Sequence, residues 1–146
     1  MFDFSLAIVH HLVVFSLLAI LVAELALVRR GMDAATLATV ARIDLGYGAL
    51  AALALAAGLV RAVYAAKGWD FYSHNGFFWA KIAIFVVIGL LSVPPTLKFI
   101  QWRKLQHLPQ DAQVDAVRKY LWTELALFAL LPLCAAGMAR GYLQLA

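Results

Sequence analysis

Four apolar stretches, each about as long as a bilayer crossing, restrict this chain to a helical bundle in a membrane. They run from about Phe4 to Val28, Leu45 to Ala66, Phe77 to Phe99 and Leu121 to Leu143. Spanning about 30 Å of hydrocarbon takes roughly 20 mostly apolar residues in helical form. Within lipid every backbone N–H and C=O must be satisfied internally, which leaves helices or a closed barrel, and a barrel needs shorter, alternating strands. Hydrophobic residues make up 65% of the chain, and little sequence remains between the spans. The expected fold is therefore all-α: one integral membrane domain over residues 1–146, an antiparallel four-transmembrane-helix bundle in contact with the lipid bilayer.

The basic residues predict an orientation, because Lys and Arg accumulate in cytoplasmic loops. Arg29, Arg30, Arg42, Lys98, Arg103, Lys104, Arg118 and Lys119 fall on one side, whereas Arg61, Lys67, Lys81 and Arg140 fall on the other. In a bacterial inner membrane this places loops 29–43 and 100–119 in the cytoplasm and both termini in the periplasm. The positive balance thus reflects membrane orientation, and nothing points to nucleic acid. Asp3 is the only early charge, and no basic start or small-residue cleavage site marks a removable signal. Cys134 is the single cysteine and reads as a small buried residue.

The connections carry local signals. Asp33 precedes Ala-Ala-Thr-Leu and suits an N-cap for a helix running straight into the second span. The second span is rich in Ala, Leu and Gly, with Gly46, Ala54 and Gly58 as small residues for close packing. Loop 67–76 is aromatic, and Trp69, Tyr72 and Trp79 suit an interfacial belt. Pro94-Pro95 should kink the third span or end it early. After Pro109 an amphipathic pattern through Val114, Val117 and Leu121 leads into the fourth span.

Ionisable residues inside a span are costly, so each is a candidate for function. Antiparallel folding sorts them by depth. His10, His11, Arg61, Lys81 and Arg140, with His74 in the loop, come near the periplasmic surface, and Glu24, Asp44 and Glu124 come near the cytoplasmic one. Fourteen residues separate His10 from Glu24, which returns the second to within about 40° of the first. Both should face the interior together with Leu17, while His11 points about 100° away. Lys81 and Ser92 share one azimuth, so an interior His10 can approach Lys81. Glu24 and Glu124 should bridge helices to Arg42 or Lys119.

A histidine beside buried cations suits an anionic cofactor. Haem b fits this pattern, with imidazole on iron and Arg and Lys on the propionates. His10 and His11 are the candidate metal ligands, and Arg61 and Lys81 complete the cofactor site. A quinone headgroup, a copper ion or a small anion fits less well, since copper would draw on Met138 and Cys134 as the remaining donors. The competing accounts are that Arg61, Lys81 and Arg140 snorkel to the interface and that the histidines pack by hydrogen bonding.

As a set, His10-His11, Glu24, Arg42-x-Asp44-x-x-Tyr47-Gly48, Gly58-x-x-Arg61, Lys67-Gly68-x-x-Phe71-Tyr72 and Asn75-Gly76-x-Phe78-Trp79-x-Lys81 resemble a family of small bacterial four-helix predicted membrane proteins, a domain of unknown function. More distantly, the chain is similar to HemJ-type protoporphyrinogen oxidases and copper-resistance D-type membrane proteins. The membrane histidine early in helix one is matched by His10 or His11, and the aromatic-x-Lys start of helix three by Trp79-Ala80-Lys81. That similarity implies haem b, with Lys81 near it. The chain departs where HemJ-type proteins carry a further histidine, here Leu91-Ser92, and around Glu24 where they carry an arginine. The leading expectation is a membrane haem protein in electron transfer or porphyrin handling, an oxidoreductase if it is an enzyme. The alternatives are an accessory or assembly subunit of a larger membrane complex and a small transporter or channel, formed as a homodimer or larger assembly.

Overall fold

The computed structural model describes residues 2–64 and 68–144, so Ala65, Ala66 and Lys67 lie outside the described residues. The described chain is helical, in the order α1 (Phe2–Leu27), α2 (Ala34–Tyr64), α3 (Gly68–Ser73), α4 (Gly76–Leu105), α5 (Asp111–Phe128) and α6 (Leu130–Ala139). Four rods, with α5 and α6 forming one of them, are long and apolar enough to cross a membrane.

Two helices begin well before their apolar spans, as the Asp33 cap and the amphipathic run after Pro109 foretell. Asp33 Oδ1 accepts the backbone N–H of Thr36 at 2.7 Å, so α2 starts at Ala34 and the first connection shrinks to a tight turn. Bonds from the Thr36 hydroxyl and backbone N–H hold the Asp33 carboxyl below the usual carboxylate range. Beyond Pro109, Gln110 and Gln113 form a reciprocal capping box that opens α5.

Three local expectations need correction. Pro94-Pro95 do not end the third span, because α4 runs through them to a left-handed C-cap at Gln106. Pro94 and Pro95 leave the carbonyls of Leu90 and Leu91 without their helical donors, and the Ser92 hydroxyl donates close by, to the Gly89 carbonyl at 2.8 Å. Pro95 itself is buried, which pins that turn in the core. Instead the helical hydrogen-bond ladder is interrupted in the fourth span around Ala129, which keeps helical dihedrals, three residues before Pro132. A proline lacks the N–H that would bond the carbonyl four residues back, here Phe128, and its ring crowds that carbonyl. Finally, the aromatic connection is a short helix, α3. Its end is fixed where the Trp79 indole donates to the Ser73 carbonyl at 2.8 Å.

The four rods form a square. α1 packs on α2 and α5, and α4 packs on α2, α5 and α6, whereas neither diagonal pair, α1 with α4 or α2 with α5, makes close backbone contact among the described residues. The core includes Leu17, Leu21, Val28, Val40, Phe99, Val114 and Leu121. Leu12, Phe15, Leu45, Leu90, Leu97 and Leu133 stand exposed on the perimeter, an inversion that suits lipid as solvent.

Both ends of the described chain meet at one end of the square, the termini end. There the fully buried Asn75 caps α4, accepting from Phe77 and Phe78 N–H, and donates to the Tyr142 carbonyl at 3.1 Å. At the opposite, loop end, Arg30 pairs with Asp115, and Arg118 donates to the Leu25 carbonyl at 2.8 Å and to the Val28 carbonyl. Arg118 thereby satisfies carbonyls left without partners at the end of α1.

Candidate functional site

The interior divides into two polar regions separated by an apolar layer. Val13, Leu17 and Leu21 are buried between them on α1. His10 and Glu24 do share the inward face, yet about 21 Å of helix rise separates them, and no polar side chain of α1 bridges that distance among the described residues.

At the termini end lies a cavity of about 560 Å³, within the roughly 300–1,000 Å³ usual for ligand sites. Its walls come from all four rods: His10, His11, Val14, Phe15 and Leu18 of α1; Ala54, Leu55 and Gly58 of α2; Phe78, Lys81, Ile82 and Phe85 of α4; and Leu125, Phe128, Ala129, Leu131, Pro132 and Ala135 of the fourth rod. The lining is almost wholly apolar, and its ionisable members are His10, His11 and Lys81. The open diagonal explains the space. Helices at opposite corners of a square stay apart, and the α2 wall offers the small Ala54 and Gly58 beside Leu55.

Geometry distinguishes the two histidines. His10 is half-buried, with its ring directed toward the backbone of α2 near Ala54 and Gly58 and its Nδ1 buried without a partner. A Cβ on Gly58 would stand 3.2 Å from His10 Cε1, so glycine at this position admits the ring between α1 and α2. His11 stands at an exposed edge of the cavity, its Nδ1 2.6 Å from the Ala7 carbonyl one turn earlier. With Nδ1–H donated to that carbonyl, Nε2 keeps its lone pair, the arrangement typical of a metal-binding imidazole. The rings lie 6.0 Å apart at 81°, on the same wall, so they cannot grip one atom from opposite sides.

Lys81 lies half-buried in the opposite wall, and Arg61 of α2 lies within electrostatic range of both His10 and Lys81. Two other expected members are elsewhere. Arg140 is exposed at the end of α6. His74 is tied into its own turn through the Asp70 carbonyl, 2.8 Å from Nδ1. Cys134 is buried and Met138 half-buried, and no group of three His, Cys, Asp or Glu among the described residues is placed to hold a metal.

The cavity reaches the surface between α1 and α6, which do not pack on one another. Exposed His11 and Phe15 mark one side of this seam, and Ala129 and Pro132 the other. Apart from His11, the exposed residues at this opening are apolar. Sequence reasoning missed it, although Pro132 inside an apolar span was the available signal.

The second region, toward the loop end, gathers Glu24, Asp44 and Glu124, all buried, from α1, α2 and α5. Thr96 of α4 donates to Asp44 Oδ1 at 2.9 Å, and the Tyr47 hydroxyl lies 3.5 Å from Glu124 Oε2, at the long limit of a hydrogen bond. The expected bridges to Arg42 or Lys119 do not form. Both cations are exposed, and no described cation pairs with any of the three carboxylates. Snorkelling explains this, since long basic side chains near a helix end reach water at little cost. Tyr47 and Thr96 were not foreseen as members of this group.

The chain belongs to the DUF2214 family of predicted membrane proteins, whose model matches residues 2–142. No curated protein and no solved structure matches it, so the likeness to HemJ-type and copper-resistance D-type proteins is not shown by these comparisons.

Proposed function

We propose that this membrane protein holds a flat, lipophilic cofactor of the b-type haem class in its termini-end cavity, for electron transfer or porphyrin handling. The observation that carries the reading is His11. Its Nδ1 is tied to the Ala7 carbonyl, which leaves Nε2 available at the mouth of an apolar cavity. The residues present fit such a group through one imidazole, because the facing wall offers Ile82, Phe85 and Phe128 and no second imidazole or sulfur ligand. Haem, when bound, supplies one-electron chemistry at its iron. His11 or His10 would hold the metal, Lys81 and Arg61 would neutralise the propionates, and the aromatic walls would exclude water. The α1–α6 seam would admit the cofactor from the lipid.

A reduced-minus-oxidised absorption spectrum of protein purified in mild detergent, after expression with ample haem, tests this reading. A b-type signal that disappears in His11→Ala is expected. A flat spectrum would overturn it.

The cavity beside the interrupted hydrogen-bond ladder at Ala129 and Pro132 favours one second reading, a small oligomeric transporter. In that case the protein purifies colourless and moves a solute across vesicles.

A further inference from the structure

We propose that Glu24, Asp44 and Glu124 form a proton-binding site in the membrane interior, filled from the loop end of the bundle and independent of the cavity. Three helices each bring one carboxyl to a common region, with Glu24 2%, Asp44 6% and Glu124 1% exposed. Glu24 lies close enough to both others to feel their charge. Its side chain has no hydrogen-bond partner among the described residues, and its Oε1 is fully buried, as is Glu124 Oε1. An uncompensated carboxylate withdrawn from water must be balanced by a partner, a metal or a proton.

No element packed around the group supplies a balancing charge among the described residues. α2 contributes Asp44 and Tyr47, while its Arg42 is exposed; α4 contributes Thr96, while its Lys98 is exposed. On α5, Lys119 is exposed and Arg118 is spent on the Leu25 and Val28 carbonyls. A cation partner is therefore missing among the described residues, and no trio of carboxylates there has metal-holding geometry. Protons remain. A proton taken from water onto one carboxyl converts an acceptor into a donor, and the neighbouring carboxylate oxygens can then accept it.

Glu24 lies three residues from the end of α1 at Leu27, a rise of about 4.5 Å, so the loop end is the near source of protons. Val13, Leu17 and Leu21 close the other direction. The site therefore exchanges protons with one face only, unless the helices move.

Infrared spectroscopy of the full-length protein in lipid vesicles tests this inference. The wild type should show a protonated-carboxyl C=O stretch at neutral pH that shifts in D2O. That band should be lost or clearly reduced in Glu24→Gln or Glu124→Gln. The other acids whose side chains are described, Asp33, Asp70, Asp111 and Asp115, are exposed or paired with Arg30, so they do not supply it. If a Gln variant does not fold, the wild-type band and its shift in Tyr47→Phe still decide the matter. No such band at neutral pH, or a band untouched by Glu24→Gln, Glu124→Gln and Asp44→Asn, would overturn the proposal. So would carboxylate bands that respond to Na+ or K+ in place of pH, which would make this a cation site.

Discussion

Tyr47 on α2 and Glu124 on α5 meet across the diagonal of the bundle, hydroxyl to carboxylate at 3.5 Å, although their two helices make no close backbone contact. In a square bundle only long side chains can reach the opposite corner. This pair therefore sets the width of the loop-end half, whereas the termini-end half, with no comparable pair among the described residues, keeps its cavity.

The hydroxyl and the ring of Tyr47 should contribute unequally. At 3.5 Å the hydrogen bond is weak, and polar contacts between membrane helices average only about 0.6 kcal/mol. Tyr47→Phe should therefore cost about that much in a reversible unfolding measurement in mixed micelles. Tyr47→Ala empties a buried aromatic site, 5% exposed, and should cost about 3–5 kcal/mol. Equal losses would show that the hydroxyl, not the packing, joins the corners.

Gly58 should be intolerant of a side chain where Gly48 is not. A Cβ at Gly58 meets the His10 ring at 3.2 Å, while nothing lies within 4 Å of one at Gly48. Both sit in the interior of α2, where Gly→Ala alone favours the helix by roughly 0.5–1 kcal/mol. Gly48→Ala should raise the thermal midpoint. Gly58→Ala should leave it unchanged or lower it, and should weaken any cofactor spectrum by displacing His10. Identical behaviour of the two variants would refute the close approach.

Gly137 is the tightest glycine contact in the fold. A Cβ there would lie 2.7 Å from Phe77 Cε2, between α6 and the start of α4. Gly137→Ala should destabilise by about 1–3 kcal/mol through overpacking, and Phe77→Leu should restore part of the loss. A double-variant cycle in the same unfolding assay measures the coupling, and a value near zero would contradict the packing described.

The cap of α2 should make stability depend on pH. Asp33 titrates below the ordinary carboxylate range because the Thr36 hydroxyl and N–H bond its charged form. The stabilisation is complete above the ordinary range and is lost as pH falls through the depressed value. The thermal-midpoint difference between wild type and Asp33→Asn should shrink on acidification to that point. A difference independent of pH would exclude an ionised cap.

Much of the architecture is legible in the residues because lipid imposes simple rules. Length and hydropathy set the four rods, and the Asp33 cap and the amphipathic run after Pro109 set where two of them begin. Helical phase alone placed His10 and Glu24 inward and His11 outward, since azimuth depends only on the rise and turn of one helix. What each polar group meets depends on neighbours far away in sequence. That is why Arg42 and Lys119 turn out to avoid Glu24 and Glu124, why Pro94-Pro95 are absorbed and Pro132 is not, and why Gly58 makes room for an imidazole. Only the tertiary structure could decide these, because side-chain partners and cavities arise from which helices stand adjacent and which stand diagonal. The apolar pattern, nearly uniform around each rod, carries almost no record of that arrangement.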